Sequence, residues 1–100
     1  MRIIIGGAGR VGTELARALR AEEMDVVLVD SDSRAVKNAQ NLDVLVIHGD
    51  LTTRDKLYEA GIGEAEVFVA ATNSDERNLL ACALAAVSYT HLTLPTILLL

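Results

Sequence analysis

Gly7-Ala8-Gly9-Arg10-Val11-Gly12 is a G-x-G-x-x-G string set between an apolar run, Arg2 to Ile5, and an amphipathic stretch. Its spacing suits a pyrophosphate. Gly7 permits a tight turn out of a strand, Gly9 lets phosphate approach the backbone because it has no Cβ, and Gly12 lets a helix pack closely on a sheet. The first amides of a helix lack intrahelical partners and, together with the helix dipole, attract an anion. Arg10 places a guanidinium inside this loop, able to reach a phosphate or to pair with Glu14 on the helix surface.

Asp30 stands eighteen positions beyond Gly12, at the end of a second apolar run, Val26 to Val29. A carboxylate there accepts hydrogen bonds from ribose hydroxyls. It also repels a 2′-phosphate, which favours NAD over NADP, although Arg34 nearby argues the other way. The glycines admit a second reading. Gly6, Gly9 and Gly12 fit G-x-x-G-x-x-G, the spacing of short-chain reductases, but no Tyr/Lys catalytic pair of that kind falls within the chain.

Alternating elements are needed to hold these residues. The first strand covers Arg2 to Ile5, and the helix after the glycine loop repeats Val11, Leu15, Ala18 and Leu19 on its apolar side, with Glu14, Arg17 and Arg20 opposite. The second strand leads through cap residues Ser31 to Ser33 into a short helix over Arg34 to Gln40. A third strand covers Val44 to His48. Thr52-Thr53-Arg54-Asp55 matches a loose capping box for a helix running to Ala60, with Gly61 as its C′ residue. The fourth strand spans Val67 to Ala71. Asn73 and Glu76 form a cap pair, and the next helix offers Leu79, Leu80, Ala83, Leu84 and Val87 as its apolar face. Strict β-α alternation predicts an α/β fold, a Rossmann-like doubly wound parallel sheet truncated after about four β-α units.

In such sheets ligands sit beyond the carboxyl ends of the strands. That adds Ser31 after the second strand, Asp50 and Leu51 after the third, and Ala71, Thr72 and Asn73 after the fourth to the candidates Gly7, Ala8, Gly9, Arg10, Val11, Gly12 and Asp30. Asp50 can accept from an adenine amino group or serve as a turn residue. Ala71 and Thr72 are placed to line a ribose. Asn78 either faces the crevice or lies on the surface. His48 reads as structural and Cys82 as a small buried residue. No nucleophile-base pair, metal-ligand spacing or substrate domain is visible, so a catalytic site and a metal site are not expected.

The 100 residues carry a formal charge of −5, are half apolar and contain one cysteine. They suffice for one domain with a core of Val, Ile, Leu and Ala. No basic patch suggests nucleic-acid binding, and no apolar run is long enough to insert in a bilayer. A lone cysteine fits a reducing compartment, and no secretory signal precedes the first strand. Residues 1–87 read as the domain. Residues 88–100 change character abruptly and lack any charge. They form either a fifth strand over Thr96 to Leu100 or, as the preferred reading, a non-native tail.

Beyond the glycine loop, the series Asp25-Val-Val-Leu-Val-Asp30, Val46-Ile-His-Gly-Asp-Leu-Thr52, Leu57-Tyr-Glu-Ala-Gly-Ile62 and Ala65 to Leu80 closely resembles the TrkA-N domain, the N-terminal domain of RCK (KTN) regulators of potassium conductance. The resemblance covers roughly residues 1–87. It implies a cytoplasmic regulatory domain, peripheral to the inner membrane, that is not an enzyme. Such a domain binds NAD(H), and in some relatives ATP or ADP. Its implied partners are a membrane potassium transporter or channel subunit, docked from the cytoplasmic side, and further copies in a homo-oligomer. Gly7, Gly9, Arg10, Gly12, Asp30, Asp50 and Thr72 carry over. Leu51 departs from the small residue usual after the Gly-Asp pair, and the family's last two β-α units have no counterpart. The rival expectation is the cofactor half of an NAD-dependent oxidoreductase, with an epimerase-like protein as a third.

Overall fold

Runs such as Ile3-Ile4-Ile5 and Val26-Val27-Leu28-Val29 have no polar alternation, and a strand built from them must be covered on both faces. The computed structural model of the chain describes residues 2–88 and 96–100, with Ser88 as backbone only. Its strands are β1 (Arg2–Gly6), β2 (Asp25–Asp30), β3 (Leu45–His48), β4 (Ala65–Ala70) and β5 (Thr96–Leu99). They form one parallel sheet in the order β3-β2-β1-β4-β5. The helices are α1 (Arg10–Ala21), α2 (Ser33–Ala39), α3 (Arg54–Ala60) and α4 (Asp75–Ser88), with a 3₁₀ turn over Ile62–Glu64. The fold is Rossmann-like.

Alternate residues of each strand feed two cores. Ile3, Ile5, Val26 and Leu28 pack with Ala16 of α1 and Ala39 of α2, while Ile4, Val27, Val29 and Phe68 pack with Leu57 of α3 and Ala81 and Ala85 of α4. The order of strands changes direction beside β1, the place where an open α/β sheet leaves a crevice. Three backbone bonds bring the loops there to one level. Gly7 N donates to Val29 O at 2.8 Å, Gly49 N to Asp30 O at 2.9 Å, and Ala71 N to Gly6 O at 2.8 Å.

Several local expectations change. In α1 the residues turned fully inward are Gly12 and Ala16, flanked by half-buried Leu15 and Leu19, whereas Val11 and Ala18 are exposed. Small residues win these positions because the helix rides close to the sheet. In α4 the inward face is Asn78, Ala81, Cys82 and Ala85; Leu79, Leu80, Ala83 and Val87 are exposed and Leu84 is half-buried. The Thr52–Asp55 capping box does not form. α3 begins at Arg54 with Thr53 as N-cap, and Thr53 Oγ1 instead donates to Asp50 O at 2.8 Å. Asp32 caps α2 by accepting from Arg34 N at 3.0 Å. Ser74, not Asn73, accepts from Arg77 N at the start of α4, at 3.2 Å. Gly61 does take the left-handed conformation, φ 88°, at the end of α3.

Within the last segment, Thr96–Leu99 forms a strand. β5 pairs in parallel with β4, Val67 opposite Thr96 through Ala70 opposite Leu99. Met1 and residues 89–95, including His91 and Pro95, lie outside the described residues.

Candidate functional site

The loops after β1, β2, β3 and β4 enclose one crevice of about 740 Å³ at the carboxyl ends of the strands. A volume of this size falls in the range of nucleotide and other small-ligand sites, about 300–1,000 Å³. Gly7, Gly9, Arg10, Val11, Asp30, Ser31, Asp50, Leu51, Ala71, Thr72 and Asn73 all line it. Two sequence candidates do not. Gly12 and Ala8 are buried behind the loop, where they shape it.

The three glycines of the loop have separable roles. Gly7 has φ +125°, and a Cβ there would lie 2.6 Å from Ala71 O. A Cβ on Gly12 would lie 1.7 Å from Gly7 O, so the helix could not approach the turn. Gly9 is different: a Cβ would meet nothing within 4 Å and would project into open space beside the loop. The amides of Gly9, Arg10 and Val11 have no acceptor among the described residues, whereas Thr13 N already bonds Gly9 O at 3.0 Å. Free donors around an open space are the arrangement a phosphate needs. Arg10 is exposed at the loop's edge and forms no pair with Glu14, because Glu14 is taken by Arg17 at 2.7 Å.

Asp30 holds the loop as well as facing the crevice. Its Oδ2 accepts from Ala8 N at 2.7 Å and its Oδ1 from Asp32 N at 2.9 Å. A carboxylate has about four acceptor positions, so two of these bonds leave capacity for ribose hydroxyls. His48 Nε2 lies 3.0 Å from Ser31 O and ties β3 to the same corner.

On the opposite wall the polar groups are already paired with one another. Asp50 Oδ1 receives Thr52 N at 2.9 Å, Thr52 Oγ1 at 2.6 Å and Arg77 Nη2 at 2.7 Å. The Thr52 hydroxyl above all, then its amide and Arg77, hold the Asp50 carboxyl below its ordinary value against the opposing effect of burial. Oδ2 of Asp50 has no partner among the described residues and remains the atom able to accept from a base. Arg77 was not among the sequence candidates. It lies 27 residues from Asp50 and reaches it from the first turn of α4, a pairing no local pattern encodes.

Asn78 is 1 % exposed and faces neither solvent nor open crevice so much as the loop before α4. Its Oδ1 accepts from Thr72 N at 3.0 Å and from Thr72 Oγ1, and its Nδ2 donates to Thr72 O at 3.1 Å. One amide side chain thus fixes both backbone groups of Thr72, which lines the crevice. Leu51 is buried with its Cδ1 lying 2.6 Å from where a Gly6 Cβ would be, so this larger residue fills the floor beneath β1. Cys82 is buried in the α4 core, and burial pushes its thiol up. No cluster able to hold a metal occurs among the described residues.

The profile of the TrkA-N domain matches residues 3–98. The chain belongs to the TrkA-N domain family. Among TrkA-N relatives, the Trk system potassium uptake protein TrkA homolog of Methanothermobacter thermautotrophicus is 47 % identical over 85 residues, which are 84 % of this chain and 39 % of the relative. TrkA of Haemophilus influenzae is 41 % identical over 97 residues, 96 % of this chain and 20 % of the relative. The chain therefore spans between a fifth and two fifths of these relatives. Among solved structures, the Shewanella denitrificans Kef C-terminal domain in its AMP-bound form superposes with a TM-score of 0.81 at 26 % identity, over 99 % of this chain and 58 % of that one.

Proposed function

We propose that this chain is the nucleotide-binding regulatory domain of a potassium uptake system, taking NAD(H), or ATP or ADP, at the crevice beyond β1. The observation that carries this is the open space at Gly9 beside three amides with no acceptor among the described residues, with Asp30 bonded to the adjacent Ala8 amide. The pyrophosphate lies against Gly9, Arg10 and Val11. The adenosine ribose meets Asp30 and Ser31, and the base reaches toward Asp50 Oδ2 above Leu51. Ala71, Thr72 and Asn73 line the remaining part of the ligand.

The chemistry here is recognition. The crevice offers donors, acceptors and a floor, and its walls bring no acid-base pair to a reacting atom. A nucleotide acts by binding one conformation more tightly than another, and can shift the balance only by that difference. TrkA names of the relatives and the AMP-bound Kef neighbour support this reading. We assign the domain to the cytoplasmic side of a membrane potassium transporter or channel, acting there in a homo-oligomer. No described helix is long and apolar enough to cross a membrane.

The test is potassium uptake by cells whose regulator carries this domain, with and without Gly9→Val. Uptake should lose its response to nucleotide in the variant. Turnover of NADH by the purified domain with a small carbonyl or alcohol substrate would instead favour the oxidoreductase reading.

A further inference from the structure

Asp50 is loaded on one side only. Its Oδ1 receives three donors: Thr52 N at 2.9 Å, Thr52 Oγ1 at 2.6 Å and Arg77 Nη2 at 2.7 Å. A carboxylate has about four acceptor positions, shared between its two oxygens, so Oδ1 is filled. Oδ2 has no partner among the described residues. The donors come from two elements, the turn before α3 and the first turn of α4. That first turn is itself anchored. Arg77 N donates to Ser74 Oγ at 3.2 Å, and the next residue, Asn78, is buried and accepts from Thr72 N at 3.0 Å. Asp50, Thr52 and Arg77 all line the crevice, beside Leu51.

The Thr52 hydroxyl first, then its amide and Arg77, hold this carboxyl below its ordinary value. Near neutrality Asp50 is therefore ionised, and Oδ2 accepts but cannot donate. Resting on the nucleotide reading above, we infer that Arg77 and Thr52 are positioning residues that select the base. By filling Oδ1 they leave Asp50 one acceptor oxygen, which suits the lone 6-amino group of adenine and not the paired donors of guanine. Guanine meets a carboxylate through its adjacent N1–H and N2–H groups, a fork that needs both oxygens side by side. Here one arm of that fork meets an oxygen that already holds three donors. The 6-amino group needs a single oxygen and finds it open. Without Arg77 the carboxylate is held from one element alone, can turn about its χ2 bond, and loses this selectivity.

Calorimetric titration of the whole chain with 5′-AMP, 5′-GMP and purine riboside 5′-monophosphate, which lacks the 6-amino group, tests this. The native chain should bind 5′-AMP about ten-fold tighter than either of the others, the size of one hydrogen bond to a charged group. Arg77→Ala and Thr52→Val should each cut that preference to about three-fold or less. The Arg77–Asp50 pair is well exposed, so Arg77→Ala keeps its fold, and circular dichroism checks both variants. A merely structural role for these residues would weaken all three nucleotides alike and leave their ratios unchanged, and that result overturns the inference. Native-chain affinity for 5′-GMP or purine riboside 5′-monophosphate equal to that for 5′-AMP also overturns it. In both cases the nucleotide reading stands, because the nucleotides still bind. If none of the three binds the folded native chain, the nucleotide reading itself falls.

Discussion

The two walls of the crevice are built on opposite plans. On the glycine-loop wall the amides of Gly9, Arg10 and Val11 and the Arg10 guanidinium have no partners among the described residues. On the β3–β4 wall nearly every polar group is spoken for: Asp50 by Thr52 and Arg77, Thr72 by Asn78. The first wall carries unsatisfied capacity that a ligand can meet. The second is held in place before any ligand arrives, and preorganisation of that kind lowers the ordering cost of binding. Substitutions on the first wall should therefore alter ligand affinity with little effect on the fold, and those on the second should alter the fold first.

The largest effect should come from a residue that joins the walls to the sheet. Gly12→Val forces α1 away from Gly7 O, and overpacking of backbone against backbone should cost about 3 kcal/mol or more. Chemical denaturation would read this as a much lower midpoint or as failure to fold. Asn78→Ala should follow, at about 1–3 kcal/mol, because it orphans a backbone amide and carbonyl of Thr72 in a largely buried place.

Arg77→Ala tests the weakest strap. The Asp50–Arg77 pair is well exposed, so its removal should change stability by only about 0.2–1 kcal/mol, and by less in high salt. The pH dependence sharpens it. The Asp50 carboxyl is lowered in the folded chain, so its contribution is complete above the usual carboxylate value of about 3.9 and fades as pH falls through the lower folded value. Stability curves of the native chain and Asp50→Asn should differ near neutrality and converge in strong acid. Curves that stay parallel to the lowest pH would show that the charge of Asp50 contributes nothing.

The same contrast explains what could be read from the sequence. The glycine loop, Asp30 and the β-α order are local patterns, because a turn, a helix start and a buried run are fixed by neighbouring residues. Gly61 belongs with them, since a left-handed helix end selects glycine on its own. The second wall depends on pairings across the sheet, and these leave no local trace. The inward face of α4 leaves no local trace for a related reason. Positions 79–87 are almost all apolar, so helical periodicity has no contrast to offer, and Asn78 turns inward because Thr72 needs it. Val11 and Ala18 are likewise exposed. Close packing at Gly12 and Ala16 gives the buried stripe to the smaller residues.

Gly9 offers the most direct test of the central claim, that the open wall is a phosphate site. A side chain there meets no protein atom within 4 Å, so Gly9→Val should fold like the native chain by circular dichroism and thermal melting. Calorimetry of NADH and ATP against both proteins should give saturable binding at one site per chain for the native protein. Affinity should fall by at least about 100-fold in the variant, a loss of about 2.7 kcal/mol. A folded Gly9→Val protein that binds both nucleotides as tightly as the native chain would contradict the account.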